Sequence, residues 1–394
     1  MDITANPTPR LYYLDWLRFL SYFLLVAYHA ALPFVEWKFY IDNGSYSELL
    51  RLPMQFINPW RMPMLFLISG IGVWFALGQR SGPAFLKERI QRLLIPFVFG
   101  LLVVLPPQWY FEMLERNTLP ISYFDFYVNH LTHLRLDRWG HLWFIAYLFV
   151  FVLVATPLFL SIRQGAARKM THRLAGFLTD HPLSPWLLVF PLFIIEWSLA
   201  SNMPYKRDFI HDAYQTVFYF TTFLYGFFIA STEVLWEVLE RQRRWSLLIG
   251  LLCFTGLTAV WISSGQSDLQ RPHSDSVFVR FIWSANVMAW IFCCIGYARR
   301  YLNMQNRLLA YANRATLPFY LLHQPILIGI GYLVVQLNAA PFEKYLILLI
   351  STVFVTSMLY ELLIRRIRFM HVFFGLKNTT DTGTSKKAAR VGRP

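Results

Sequence analysis

The chain reads as an all-α protein, a polytopic membrane helix bundle. Three observations carry that reading. Of 394 residues, 56% are hydrophobic and only 15% charged, whereas soluble domains carry about 25% charged residues. Mean hydropathy is +0.41. Apolar runs of the roughly 20 residues needed to cross a bilayer recur along the sequence, about ten in all, with basic residues collected between them. A net charge of +14 would also suit a nucleic-acid binder, but its placement between spans fits membrane topology and argues against nucleic acid.

The first ten residues, MDITANPTPR, are polar and carry two prolines. The apolar run behind them lacks a small-residue cleavage site, so the first span is expected to stay in the membrane. The spans centre near Phe23, Ser69, Leu101, Val152, Phe193, Leu224, Phe254, Val287, Gly329 and Phe354. The fifth, WLLVFPLFIIEWSLA, is the shortest and holds Pro191 and Glu196. Cys253, Cys293 and Cys294 lie in apolar runs with no disulfide or zinc spacing, so no metal is expected. Residues 1–376 form the membrane domain. The tail from 377 to 394, KNTTDTGTSKKAARVGRP, has the composition of a disordered basic segment.

Loop charge sets the expected orientation. Arg80, Lys87, Arg89 and Arg92 fall between the second and third spans. Arg163, Arg168, Lys169 and Arg173 follow the fourth, Arg241, Arg243 and Arg244 the sixth, and Arg299, Arg300, Arg307 and Arg314 the eighth. The alternate loops are poorer in Lys and Arg or balance them with acids. The positive-inside rule therefore places both termini in the cytoplasm, and an even number of spans agrees. The opposite loops are rich in aromatics, including Trp37, Trp60, Trp109, Tyr110, Tyr123 and Trp139, with His130, His133 and His141. They read either as an interfacial belt or as a platform for sugar rings, whose apolar faces suit aromatic faces.

The first span, LDWLRFLSYFLLVAYHAALPF, carries Asp15, Arg18 and His29. Each ionisable group in the hydrocarbon costs about 2.5–3.5 kcal/mol on insertion scales. Arg18 and His29 are 11 positions apart. That is three turns plus about 20°, so both lie on one helix face, roughly 16 Å apart in height. Asp15 shares that face. The bland alternatives are an Asp15–Arg18 ion pair snorkelling to the headgroups and an interhelical hydrogen bond for His29.

RFLSYFLLVAYH, residues 18 to 29, resembles the Arg-x10-His spacing of the membrane acyltransferase family 3 proteins, and LDWLRFL resembles their first-helix opening. MLFLISGIGVWF resembles the family's Phe-Phe-x-x-Ser-Gly-Phe stretch in part, with Leu65 for the first Phe and Ile71 for the last. RIQRLLIPFV, HLWFIAYLF and ATLPFYLLHQPIL resemble its third, fourth and late spans, in order and spacing. The nearest branch in appearance is that of glucan-biosynthesis acyltransferases.

The resemblance implies an O-acyltransferase in a bacterial inner membrane. It would carry a succinyl or acetyl group from cytoplasmic acyl-CoA to a hydroxyl of a periplasmic or cell-envelope glycan. His29 would be base or acyl carrier, since an imidazole titrates near neutral pH, with Arg18 and Asp15 completing the catalytic face. Arg89 and Arg92 would bind the donor's phosphates, and Ser69 and Gly70 would let its pantetheine arm pass. Alone, that arginine pair marks topology and that Ser-Gly step allows close helix approach. His141, Trp143, Tyr320, His323 and Gln324 would line the acceptor cavity. The expected partners are the glycan and membrane lipids; the oligomeric state, a homodimer included, stays open. The competing class is a transporter that uses the polar face of the first helix as a substrate or proton path.

Overall fold

The computed structural model describes residues 11–376 except 119–121, 134–137, 165–168, 170–172, 174–175, 178–182, 201–208, 210 and 266–275. The basic tail, Arg168 and the acid-balanced stretches 205–208 and 267–275 thus lie outside the described residues.

Every regular element among the described residues is helical. In chain order these are α1 (Tyr12–Ala31), α2 (Glu48–Gly78), α3 (Gly82–Glu115), α4 (Tyr123–Thr132), α5 (Trp143–Gln164), α6 (Ser184–Leu199), α7 (Ala213–Ala230), α8 (Glu233–Ser264), α9 (Val277–Tyr301), α10 (Arg307–Val334), α11 (Pro341–Ile364) and α12 (Arg368–Phe373). Three of these rods are composite: α6 begins as a 3-10 helix over Ser184–Leu188. α3 contains π turns at Ile90–Leu94 and Gly100–Val104, and α11 ends in another at Tyr360–Ile364.

Eight helices among the described residues are long and apolar enough to cross a membrane. The two other expected positions, near Phe193 and Leu224, are also helical. α6 is a shorter apolar helix, and tyrosines, threonines and Gln215 dilute the hydropathy of α7. Glu196, the polar residue that interrupts α6, is buried and accepts a hydrogen bond from the Tyr214 hydroxyl. Arg280 donates to the neighbouring carbonyls of Glu196 and Trp197 at 3.3 and 3.1 Å. An apparent breaker in the sequence is therefore a hydrogen-bonded anchor between α6, α7 and α9.

Helix ends follow local chemistry. Asn306 caps α10 by accepting from the Leu309 N–H at 2.7 Å, and Ser122 accepts from the Asp125 N–H at the start of α4, as short polar side chains do at N-caps. Gly265 ends α8 in the left-handed conformation at φ 62°, where a residue without Cβ is favoured.

Between membrane helices there is little hydrophobic drive, so small residues that let backbones approach decide the packing. α2 and α7 share one of the two most extensive helix contacts. A Cβ on Gly70 would collide with the Phe223 carbonyl, and one on Gly226 with the Leu67 carbonyl. α1 borders both apolar clusters of the bundle. It packs Leu14, Leu17 and Tyr28 into one cluster, and Tyr22, Leu25 and Val26 into the other. Its Leu20 and Phe23 face outward, as do Val154 on α5, Leu252 on α8 and Phe354 on α11, which suits contact with lipid.

The segment from Leu32 to Ser47 folds back over the far end of α1. Asn43 N–H donates to the Pro33 carbonyl and Ser47 N–H to that of Phe34. Lys344 Nζ on α11 ties it down through Asn43 Oδ1 at 2.9 Å. Phe39 on this segment stacks over the His29 ring.

Candidate active site

Two groups of polar residues adjoin one cavity of ≈ 410 Å³, the first lining it and the second in contact with tyrosines at its far end. At one end Glu88 lies within 3.0 Å of Arg80, 3.1 Å of Arg89 and 3.6 Å of Arg92. Three guanidiniums around one carboxylate leave an excess of positive charge, and Arg18 adds to it from α1, within reach of Asp15 at 3.5 Å. Arg92 also donates to the Gly375 carbonyl. The Ile90–Leu94 π turn carries Arg92 and adjoins Arg89. The wider turn re-aims side chains relative to a regular helix, and such bulges recur at functional sites.

The cavity wall follows α2 from Leu65 to Gln79, a rise of about 21 Å. Ser69 and Gly72 lie along it. Gly72 faces Arg18, whose nearest guanidinium nitrogen would stand 3.8 Å from an added Cβ. Gly70 points the other way, into the α2–α7 contact described above, and does not line the cavity. Of the expected Ser-Gly step, Ser69 is at the cavity and Gly70 serves packing.

Because α1 and α10 run antiparallel to α2 and α5, the opposite end of the cavity is formed by Tyr22 and Leu25, Leu65, Phe144 and Tyr320. Immediately beyond it lie three histidines. His29 Nδ1 and His323 Nε2 are 3.0 Å apart, with the rings stacked at 5.2 Å and 14°. His141 meets His323 edge to face, ring centroids 5.1 Å apart. His141 and His323 are buried, and His29 is half-buried.

The partners assign the protons. His323 Nδ1 lies 2.8 Å from the Tyr320 carbonyl and must donate to it. His323 Nε2 is then the acceptor, His29 Nδ1–H donates, and the basic lone pair of His29 sits on Nε2. His141 Nε2–H donates to the Leu321 carbonyl at 3.1 Å. That carbonyl is available because Pro325, four residues on, has no N–H to return to it. The Tyr320 hydroxyl donates to the His141 carbonyl, locking α10 to the start of α5. The short LLHQP stretch thus creates its own hydrogen-bond acceptor for His141.

Gln324 Nε2 donates to Gln108 Oε1 at 3.3 Å, both side chains buried. Trp143 lies two residues after His141, at the start of α5. It packs against Tyr147 and Tyr219. Of the expected acceptor-side residues, His323 meets His29, His141 and Tyr320 meet His323, Gln324 lies on the same helix one position on, and Trp143 belongs to an aromatic cluster. Arg18 and Asp15 stand at the arginine end, not beside His29. No group of three or more His, Cys, Asp or Glu able to hold a metal occurs among the described residues.

Several site residues escape the motif reading. Arg80 and Glu88 look like ordinary loop charges, Gln108 has no motif around it, and Tyr22 reads as one aromatic among many. Arg61 is buried, stacked 3.4 Å over the Tyr28 ring and donating to Asn58 Oδ1. Near the same end, Glu112 pairs with Arg116 at 2.8 Å and Arg138 at 3.5 Å. The His130 ring lies tilted against Trp109 with ring centroids 4.8 Å apart, and burial lowers its pKa, favouring the neutral imidazole.

A family model described as an acyltransferase domain matches residues 11–361. The chain belongs to this acyltransferase family. The match takes in every helix that lines the cavity and all three histidines, so the polar groups buried in the bundle belong to an enzyme. Among curated relatives, the glucans biosynthesis protein C of Escherichia coli O81 (strain ED1a) is 24% identical over 399 aligned positions, covering 98% of this chain and 100% of the relative. The protein of the same name from Escherichia coli (strain K12) matches to the same extent. No solved structure matches the chain.

Proposed function

We propose that the protein transfers an acyl group, succinyl or acetyl, from cytoplasmic acyl-CoA to a hydroxyl of a periplasmic or cell-envelope glycan, from the bacterial inner membrane. The observation that carries the reading is the single cavity leading from Arg18, Arg80, Arg89 and Arg92 to the tyrosines that touch the histidine group. Guanidiniums suit phosphate groups. A wall rising about 21 Å along α2 suits an extended pantetheine arm, with the thioester at the tyrosine end. The relatives' name, glucans biosynthesis protein C, supports a glycan acceptor.

In this reading His29 Nε2 takes the proton of the acceptor hydroxyl as its oxygen attacks the thioester carbonyl, or takes the acyl group itself and passes it on. His323 orients His29 through the Nδ1–H bond. His141, Tyr320 and Gln324 hold His323 and the acceptor side in place. Ser69 lies along the pantetheine path. Arg18, paired with Asp15, belongs with the phosphate-binding arginines.

The test is acyl-CoA consumption by protein purified in detergent, coupled to mass spectrometry of cell-envelope glycans with and without the gene, before and after mild alkali. The expected result is thioester loss in vitro and an alkali-labile ester on a glycan that disappears with the gene. Substrate movement without thioester loss would overturn the transfer reaction in favour of transport.

A further inference from the structure

We infer that Tyr22 is a catalytic residue: its hydroxyl donates the hydrogen bond that stabilises the oxyanion formed on the thioester carbonyl. The inference rests on the proposed donor path and assigns a group to the step that path leaves without one.

The cavity's polar lining narrows the choice. At the histidine end two tyrosines line it, Tyr22 and Tyr320. The Tyr320 hydroxyl is committed to the His141 carbonyl. Ser69 donates to the Leu65 carbonyl of its own helix at 2.8 Å, and Thr316 to that of Ala312 at 2.7 Å. The Asn313 amide also lines the cavity without a hydrogen-bond partner among the described residues, but it lies seven residues before Tyr320 on α10, about 10 Å toward the arginine end. Tyr22 is 8% exposed, and its hydroxyl is buried with no hydrogen-bond partner among the described residues. A buried hydroxyl left unmet costs free energy. Each such group in a folded protein asks for an explanation, and one explanation is a ligand that supplies the partner.

Position agrees. Tyr22 follows Arg18 by four residues and precedes His29 by seven, close to two helical turns, so all three lie on one face of α1, with Tyr22 about 10 Å below His29. His323 spans the gap. It meets the Tyr22 ring edge-on at 5.8 Å and bonds His29 at 3.0 Å. A thioester carbonyl at the end of the cavity would therefore lie between a hydrogen-bond donor and the base.

The step balances. The acceptor oxygen bonds to the carbonyl carbon while His29 Nε2 takes its proton. The carbonyl π pair moves to oxygen, where Tyr22 donates without losing its own proton. Collapse then re-forms C=O, breaks C–S, and the departing sulfur takes the proton from the imidazolium to leave as the CoA thiol.

The test is Tyr22→Phe, which keeps the ring and removes the oxygen, assayed by thiol release from succinyl-CoA and acetyl-CoA with a gluco-oligosaccharide acceptor. The expected result is a kcat lower by about 10²–10³-fold, the usual cost of one oxyanion donor, with donor KM unchanged and thermal stability equal or higher. A CoA trifluoromethyl ketone, whose hydrate mimics the tetrahedral adduct, is expected to bind the variant more weakly while CoA itself binds both proteins alike. Full turnover in Tyr22→Phe, with His29→Ala inactive in parallel, overturns the role of Tyr22 and leaves the base intact. An active His29→Ala beside an inactive Tyr22→Phe overturns the His29 role instead. A variant that fails to fold overturns the unpartnered hydroxyl, and wild-type protein that releases no thiol overturns both readings.

Discussion

His29 and His323 are separated by 294 positions and meet at 3.0 Å. The helical period places His29 on the face of Arg18, and a His inside the apolar LLHQP stretch draws attention on its own. Their contact is not in the sequence, because which face of α10 meets α1 depends on all the other helices. If His29 is the base, His29→Ala is expected to lower acyl transfer by about 10²–10⁴-fold with the protein still folded and inserted. A helix-bridging role alone would cost about 1 kcal/mol of stability and leave turnover unchanged. His323→Ala tests orientation: kcat is expected to fall by less than in His29→Ala, with the donor KM intact. A change in donor KM without loss of kcat would place His323 in binding. Tyr22 escaped the reading because a buried tyrosine is indistinguishable from packing until the partner of its hydroxyl is sought. Arg18 stood out in the sequence as a charge within a span, but which end of the cavity it lines did not, since one helix face runs past both ends.

Element-scale detail divides along the same line. The helices were legible because hydropathy alone fixes a span. The π turns in α3 and α11 were not, because an extra residue in a turn leaves hydropathy unchanged. Gly70 and Gly72 illustrate the limit at close range: two positions along one helix is a rotation of about 200°, enough to put one against α7 and the other against Arg18. Their surroundings make a prediction. Gly70→Ala and Gly226→Ala drive a Cβ into a backbone carbonyl of the facing helix and are expected to destabilise the bundle by about 1–3 kcal/mol each. Gly256→Ala on α8 meets open space and is expected to be neutral or stabilising by up to about 1 kcal/mol. Thermal unfolding in one detergent measures all three, and equal midpoints would show that the α2–α7 contact yields more easily than its geometry implies.

For the whole molecule, the decisive quantity is which end of the cavity faces the cytoplasm, where acyl-CoA is made. The arginine end lies between α2 and α3 and shares its side with the residues that follow α5, because α5 runs parallel to α2. Those loops carry the excess of Lys and Arg. On the positive-inside rule the arginine end is expected to face inward and the histidine group the outer leaflet. Reporter fusions at Lys377 and Arg173 are expected to read cytoplasmic, and one after Asp268 periplasmic. The proposed donor path asks more of the arginines than topology alone does. Replacing Arg89 and Arg92 together by Gln removes two guanidiniums from the cavity mouth and leaves Arg80 to pair with Glu88. Apparent donor KM should then rise more than kcat falls, the pattern of lost ground-state binding, and added salt should weaken donor binding less than in the wild-type protein. A fall in kcat with KM intact would remove the phosphate role from these residues. A periplasmic reporter at Lys377 would go further, since it would put the cationic mouth on the side of the membrane that holds no acyl-CoA and so take the donor path away with it.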